Sequence, residues 1–584
     1  MSFNYTSEKN VLMLVALLKA YGIKRVIASP GTTNMTFVAS LQHDSFFEIY
    51  SAPDERSACY MACGMADESG EPVVITCTGA TASRNYLPGL TEAYYRKLPI
   101  LAVTATQNEN TIGHLKPQVI DRSSLPADTC VLSVHVSVAD GEDLWTCNIK
   151  LNQALDALTR KGGGPVHINM ATTYSLDFYI VELPHVTKIE RICQENEMPA
   201  LPNVRTAVFA GAHKDFDDEL QQLVDEFCRK NNAVVFCDHT SGYHGEFRAN
   251  LSLLRMQPGA DRSLFSPSLL IHIGEVSGSY TYPQPQFVWR VSEDGEIRDT
   301  FKGLVKVFEM DERDFFRRYA ACPFGGIVEE KSYIAQFREA DSRIRESLAA
   351  IELPFSNIWV ASQTAHKIPS SSVVHLGILN SLRAWNFFNF PKGVRSRSNV
   401  GGFGIDGPVS TLIGASLVDP ECTQFGIIGD LAFFYDMNSL GNRHVQGNLR
   451  IMLINNGKGT EFTNFSHPCS KFGAGAEHYM AAAGHYGNKS PNLVRHYAED
   501  LGFEYLSASN KDEFLHSLPA FLDKEIKSRP VLFEVFTDSK DESDALYMIT
   551  HLLEKTPSHK EKLHAMAAKV IGEEGISFVK KILK

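Results

Sequence analysis

The chain has 584 residues and a formal charge of −12, with 44% hydrophobic, 21% charged and 10% aromatic residues. At about 150 residues per domain this is enough chain for three to four domains, so a single small binding module and wholesale disorder are both excluded. An acidic balance without a long run of Lys and Arg lacks the electrostatic footprint that nucleic acid or anionic lipid requires.

The first segment surrounds a short apolar run with Glu8, Lys9 and Lys19 and has neither a basic leader nor a small-residue cleavage site, so a mature cytoplasmic chain is expected. No apolar run approaches the roughly 20 residues that span a bilayer. The eleven cysteines are scattered and form no CxxC pair, which argues against a disulfide scaffold or a zinc site. Cys59 and Cys63 share a helix face and read as core packing.

Strands are expected at Lys24 to Ser29, Pro72 to Cys77 and Ile100 to Thr104, with helices at Asn10 to Tyr21 and Glu55 to Glu68. This alternation predicts α/β domains with mainly parallel, doubly wound sheets. A polar, Pro-containing stretch from Pro184 to Val204 reads as a linker. A second α/β block has strands near Ala233 to Cys237, Ser268 to Gly274 and Leu304 to Phe308 and ends in the charged helix Glu329 to Ala350. A third opens at Val373 to Gly377 and runs through Phe425 to Gly429, Arg450 to Asn455 and Val531 to Phe536. The expected division is 1–185, 200–350 and 351–545, followed by an amphipathic helical tail over 546–584 that reads as a packing or assembly element.

The strongest chemical signal lies in the third block. The strand FGIIGD ends at Gly429 and Asp430, and the strand IMLIN delivers Asn455 and Asn456. Asp430 and Asn456 are 26 residues apart, about one βαβ crossover, so both can stand at the carboxyl ends of neighbouring parallel strands, where open sheets bind ligands. A carboxylate, an amide oxygen and a nearby backbone carbonyl, that of Lys458, suit a hard cation such as magnesium with phosphate oxygens completing its shell. Read separately, Gly429-Asp430 is a strand-end turn and Asn455-Asn456 a helix cap; spacing and strand context together favour the metal reading.

This pattern resembles the GD…NN diphosphate and metal motif of thiamine-diphosphate (ThDP) enzymes. That chemistry needs one carboxyl group at N1′ of the cofactor, and SAPDERSACYMACGMA places Glu55 at a helix start beyond a strand, where partial burial would raise its pKa. Alone, Glu55 reads as a helix-start acid favoured by the dipole. A formal GxGxxG at Gly402, Gly404 and Gly407 follows VRSRSN, a poor buried strand, so a nicotinamide site is not expected. In the ThDP reading the same loop enters a helix, and Ile405 props the cofactor.

Beyond the general motif, the chain resembles the 2-succinyl-5-enolpyruvyl-6-hydroxy-3-cyclohexene-1-carboxylate synthases, carboligases of menaquinone synthesis. The similarity rests on SPGTTNMTF from Ser29, DERSACYMACGMADESGEPVVITCTGATA from Asp54, FCDHTSGYHGE from Phe236, NSL from Asn380, GFGIDGPVST from Gly402, GDLAFFYDMNSL from Gly429 and NNGKG from Asn455. It implies a pyrimidine-binding domain, a central domain without flavin and a diphosphate-binding domain. It further implies Glu55 as the N1′ partner, Gln118 as a substrate-side amide, Ser381 as a pocket hydroxyl, and Gly404, Ile405, Asp406, Gly429, Asp430, Leu431 and Asn456 as cofactor contacts. Asp430, Asn456 and Lys458 would ligate Mg2+. Where that family holds its carboxylated substrates with arginines, this chain has Thr33, Gln107, Trp385 and Val400, so another substrate is expected; Arg84, His114, Lys116, Arg383 and His467 are other candidate contacts.

The resulting expectation is a ThDP- and Mg2+-dependent lyase or transferase that decarboxylates a 2-oxo acid, pyruvate favoured, and transfers the remaining carbons to an acceptor. The alternatives are a simple decarboxylase, a carbon–carbon hydrolase, or a non-catalytic regulatory or assembly subunit. A homodimer or homotetramer acting on small molecules is expected, with no nucleic-acid or membrane partner.

Overall fold

The computed structural model describes residues 4–107, 111–122, 125–141, 143–321, 329–485 and 490–554; most of the expected tail, 555–584, lies outside the described residues. Two compact units are formed, the first from 1–192 with 295–307 and the second from 193–294 with 308–584.

In the first unit six parallel strands lie in the order Glu48–Ser51, Arg25–Ala28, Val73–Cys77, Ile100–Thr106, Val166–Ala171, Leu132–Val136. The three strands Val73–Cys77, Ile100–Thr106 and Val166–Ala171 are buried at every position. That is why they read as predominantly apolar runs without strict alternation: helices cover both faces of a parallel sheet. One cover is the helix Lys9–Tyr21, buried from Asn10 through Leu18. Its lead-in residue Glu8 is buried too, and its carboxylate accepts from the Thr173 amide at 2.9 Å, the Thr173 hydroxyl at 2.8 Å, the Ser175 amide at 3.1 Å and the Thr36 hydroxyl at 3.2 Å. On the other face the helix Glu55–Ser69 packs Ala58, Cys59, Ala62 and Cys63 into the core, as expected for that cysteine pair.

The second unit contains two parallel arrays. One runs Arg248–Asn250, Val234–Cys237, Thr206–Ala210, Leu269–Ile273, Phe287–Ser292. The other runs Arg395–Arg397, Val373–Leu376, Gln424–Gly429, Leu449–Asn455, Val531–Phe536, Glu504–Ala508. The last array repeats the strand order of the first unit's sheet. The α/β class with mainly parallel sheets is thus as the sequence leads one to expect, and the expected strands and helices recur within a residue or two except at two places. The charged helix is shorter, Tyr333–Ala349, because Ser332 caps it by accepting from the Ala335 amide. The stretch read as a linker contains a short strand, Glu190–Cys193; its Pro-flanked, half-polar sequence hides the pairing.

Arg450, in the strand Leu449–Asn455, is fully buried. Its guanidinium donates to the carbonyls of Ala520 at 3.2 Å, Phe521 at 2.9 Å and Glu525 at 2.6 Å, closing the C-terminal end of the helix Lys511–Phe521. A cation there meets the negative end of the helix dipole and its free carbonyls. Arg450→Met should therefore cost about 3 kcal/mol, read as a lower urea midpoint at unchanged slope, because three carbonyls lose their donors.

Candidate functional site

The pairing of Gln424–Gly429 with Leu449–Asn455 sets Gly429 opposite Ile454. Asp430 and Asn456 therefore leave the same edge of the sheet side by side, as the crossover spacing predicts. The strand order reverses between Val373–Leu376 and Gln424–Gly429, so this edge is also a topological switch point, where the first turns of neighbouring loops diverge and leave a crevice.

Asp430 begins the helix Asp430–Asp436 and is 5% exposed. One carboxylate oxygen accepts from the Leu431 amide at 2.7 Å and the other from the Gly457 amide at 2.6 Å. Burial pushes its pKa up to about 6, against the pull of backbone amides from Leu431, Gly457, Asn456 and Lys458. Among the described residues the carboxylate is oriented by amides and has no cationic partner.

The other oxygen donors expected for a metal are braced by one residue. Buried Thr460 gives its hydroxyl to Asn456 Oδ1 at 2.7 Å and its amide to the Lys458 carbonyl at 2.9 Å. The Lys458 ammonium turns aside to Glu477 at 2.8 Å. A buried, uncompensated carboxylate beside an amide oxygen and a backbone carbonyl fits a hard divalent cation. Asn455 faces away and donates to Glu534 at 2.7 Å, so of the two asparagines it serves the sheet.

Leu431 is half-buried behind Asp430, and Gly429 ends the strand. The Gly-rich loop enters the helix Pro408–Val418, whose start is fixed by Asp436 accepting from the Ser410 amide and hydroxyl, each at 2.6 Å. Phe403 in this loop has φ 53°, a costly value for a bulky residue and a mark of loops held for function. Gly404 is half-buried, and a Cβ there would lie 2.5 Å from the Asp406 carboxylate. Ile405 packs on the core beneath, and Asp406 is exposed.

Ser381 lies in the helix Asn380–Asn386, buried, its hydroxyl accepting from the Asn357 side-chain amide at 3.1 Å. Trp385 in the same helix is wholly buried and donates its indole N–H to Asn357 at 3.1 Å. Arg383 pairs with Glu461 at 2.5 Å and lies 4.4 Å over the Tyr280 ring. His467 caps its own turn by accepting from the Cys469 amide at 3.1 Å. Composition and spacing gave no sign of Glu542, another buried acid in this unit. Its carboxylate accepts the Asn357 amide at 2.9 and 3.1 Å and the Thr537 hydroxyl at 2.7 Å. Burial raises its pKa to about 7, with the Asp430 charge adding to the rise.

In the first unit Glu55 opens the helix Glu55–Ser69, half-buried, and accepts from the Asn85 amide at 3.2 Å; Asp54, not Glu55, caps the helix on the Ser57 amide. Gln118 is exposed on a loop with φ 64°.

The raised pKa of Glu542 has a thermodynamic consequence. The fold favours its protonated form, so this contribution to stability is full below pH about 4.5 and is lost as pH climbs toward 7. In EDTA-treated protein, Glu542→Gln should therefore gain stability relative to wild type by on the order of 3 kcal/mol between pH 4.5 and 7.5. Parallel denaturation curves at each pH measure it; a pH-independent difference would refute the assignment.

Residues 11–125 match the family model described as thiamine pyrophosphate enzyme, N-terminal TPP binding domain. Among curated proteins, the 2-succinyl-5-enolpyruvyl-6-hydroxy-3-cyclohexene-1-carboxylate synthase of Bacteroides fragilis is 28% identical, the match covering 94% of this chain and 100% of the relative. The enzymes of the same name from Bacteroides thetaiotaomicron and Desulfotalea psychrophila are 27% and 26% identical, over 94% and 89% of this chain and 100% and 96% of theirs. Similarity to the thiamine pyrophosphate enzymes is thus carried by residues 11–125, and nearly the whole chain is similar to the synthases named above.

Proposed function

We propose that this chain decarboxylates a 2-oxo acid and joins the remaining carbons to an acceptor, with ThDP and Mg2+ as cofactors. The observation that carries the reading is the buried Asp430 carboxylate, oriented by two amides, without a counter-charge and adjacent to Asn456. Asp430, Asn456 and the Lys458 carbonyl would hold the magnesium, and Thr460 keeps the last two aimed. Gly404, Ile405, Asp406, Gly429 and Leu431 would line the cofactor. When bound, the cofactor supplies an electron sink for the carbons left by decarboxylation. Glu55 would hold a proton at its ring nitrogen N1′, with Asn85 fixing the carboxyl's orientation. Gln118 would offer its amide to the substrate. Ser381 steadies the pocket wall through Asn357.

The replacement of four family arginines by Thr33, Gln107, Trp385 and Val400 supports a donor with fewer carboxylates than 2-oxoglutarate, and pyruvate is the first to test. Losing charge-assisted contacts at about 1.5 to 3 kcal/mol each disfavours a substrate rich in carboxylates. Trp385 itself fills the core.

Release of carbon dioxide from a panel of 2-oxo acids tests the reaction directly; no release from any member would refute it. Asp430→Ala should abolish magnesium-dependent ThDP binding in calorimetry. Thr460→Val should weaken magnesium affinity about tenfold while leaving the fold intact, since it removes one brace and no ligand. Glu55→Gln should keep most of the ThDP affinity yet slow deuterium exchange at the cofactor's C2 by orders of magnitude. Exchange as fast as in wild type would remove Glu55 from the mechanism.

A further inference from the structure

The first unit's sheet has a switch point of its own. Its strand order reverses between Arg25–Ala28 and Val73–Cys77, and the loops leaving these strands meet closely: a Cβ on Gly31 would lie 2.5 Å from that of Thr78. The Thr33 hydroxyl is hydrogen-bonded to the Thr78 hydroxyl at 2.5 Å, accepts from the Gly79 amide at 3.2 Å and lies 3.3 Å from the Ala105 carbonyl. Ala80, next along, has φ 56°, a strained value for a residue with a side chain.

Arg122 reaches into this crevice. It is 2% exposed, and a Cβ on Gly79 would lie 2.6 Å from its Nη1, so a side chain there would displace the guanidinium. Nη2 donates to the Ala105 carbonyl at 3.3 Å, whereas Nε and Nη1 have no hydrogen-bond partner among the described residues. Together those two nitrogens carry three N–H donors. Burial and the like charge of Arg84 disfavour its charge, Cys77 and Tyr174 favour it, and among the described residues no carboxylate is paired with it. Arginine does not escape by losing its proton, and a buried charge without a counter-ion destabilises a fold. Such a group is retained where a ligand provides the missing acceptor.

We propose that Arg122 is the receptor for a carboxylate of this chain's small-molecule ligand, docked at the first sheet's switch point beside the Thr33 and Thr78 hydroxyls. A single buried guanidinium matches the single charge of a carboxylate, and its planar array of donors matches the carboxylate's two oxygens. Within the reading of the chain as a 2-oxo acid enzyme, which this rests on, Arg122 restores one of the cationic contacts missing at Thr33 and Gln107.

The test uses the full chain, with acetate and pyruvate as probes and acetamide as the neutral isostere, at constant ionic strength. Both carboxylates should raise the wild-type melting temperature and acetamide should not. Arg122→Met should lose that response and melt at or above the wild-type temperature without ligand, because it relieves an unpaired buried charge. Arg122→Lys should respond with affinity at least tenfold weaker. ThDP affinity measured by calorimetry should stay within twofold in both variants. An equal response of wild type to acetate and acetamide, or an unchanged carboxylate response in either variant, would overturn the receptor. So would an Arg122→Met protein that melts well below wild type while Arg122→Lys matches wild type throughout, since the side chain would then be structural. Carboxylate binding that depends on Arg122 in a chain that fails to bind ThDP would sustain the receptor and refute the cofactor reading alone.

Discussion

Parallel pairing between Gln424–Gly429 and Leu449–Asn455 is the constraint on which the candidate cofactor site depends. With Gly429 opposite Ile454, Asp430 and Asn456 emerge together where the strand order reverses. Side chains alternate with period two along a strand, so a slip of one residue would turn the acid or the amide to the opposite face. The same strand is anchored at its other end by Arg450, which holds the carbonyls closing the helix Lys511–Phe521. One end of the strand thus secures the fold and the other presents chemistry.

Buried charges separate by how completely their partners are supplied. Glu8 has four hydrogen-bond donors from the loop and helix around it, and Arg450 has three carbonyls; each holds segments together. Asp430 has amides but no counter-charge, and Arg122 has one long hydrogen bond and three idle donors. Asp430 and Arg122 both stand at the carboxyl edge of a parallel sheet, beside a switch point. Incomplete satisfaction is costly in a low-dielectric interior, and at a sheet's carboxyl edge a ligand can relieve it. Glu542 lies between the two classes: it is fully hydrogen-bonded, yet its burial holds its pKa near neutrality.

Much was legible in the chain itself. The buried strands appear as short runs rich in apolar residues because both faces of a parallel sheet are covered, and the 26-residue interval from Asp430 to Asn456 is a crossover length. Periodicity also placed Glu55 at the head of its helix and Cys59 and Cys63 in its core. These are local properties, set by the alternation of side chains and by the length of chain that one helix consumes. The tertiary structure alone decided which polar residues are matched. Nothing local distinguishes Asn455, turned to Glu534, from Asn456 at the edge, or marks Glu542 and Thr460 as buried supports. Nor does IDR, the setting of Arg122, reveal that its guanidinium lies against Gly79, 43 residues earlier, with two nitrogens unpaired among the described residues. Hydrogen-bond satisfaction depends on groups brought together from distant parts of the chain, so it exists only once the fold has closed around them.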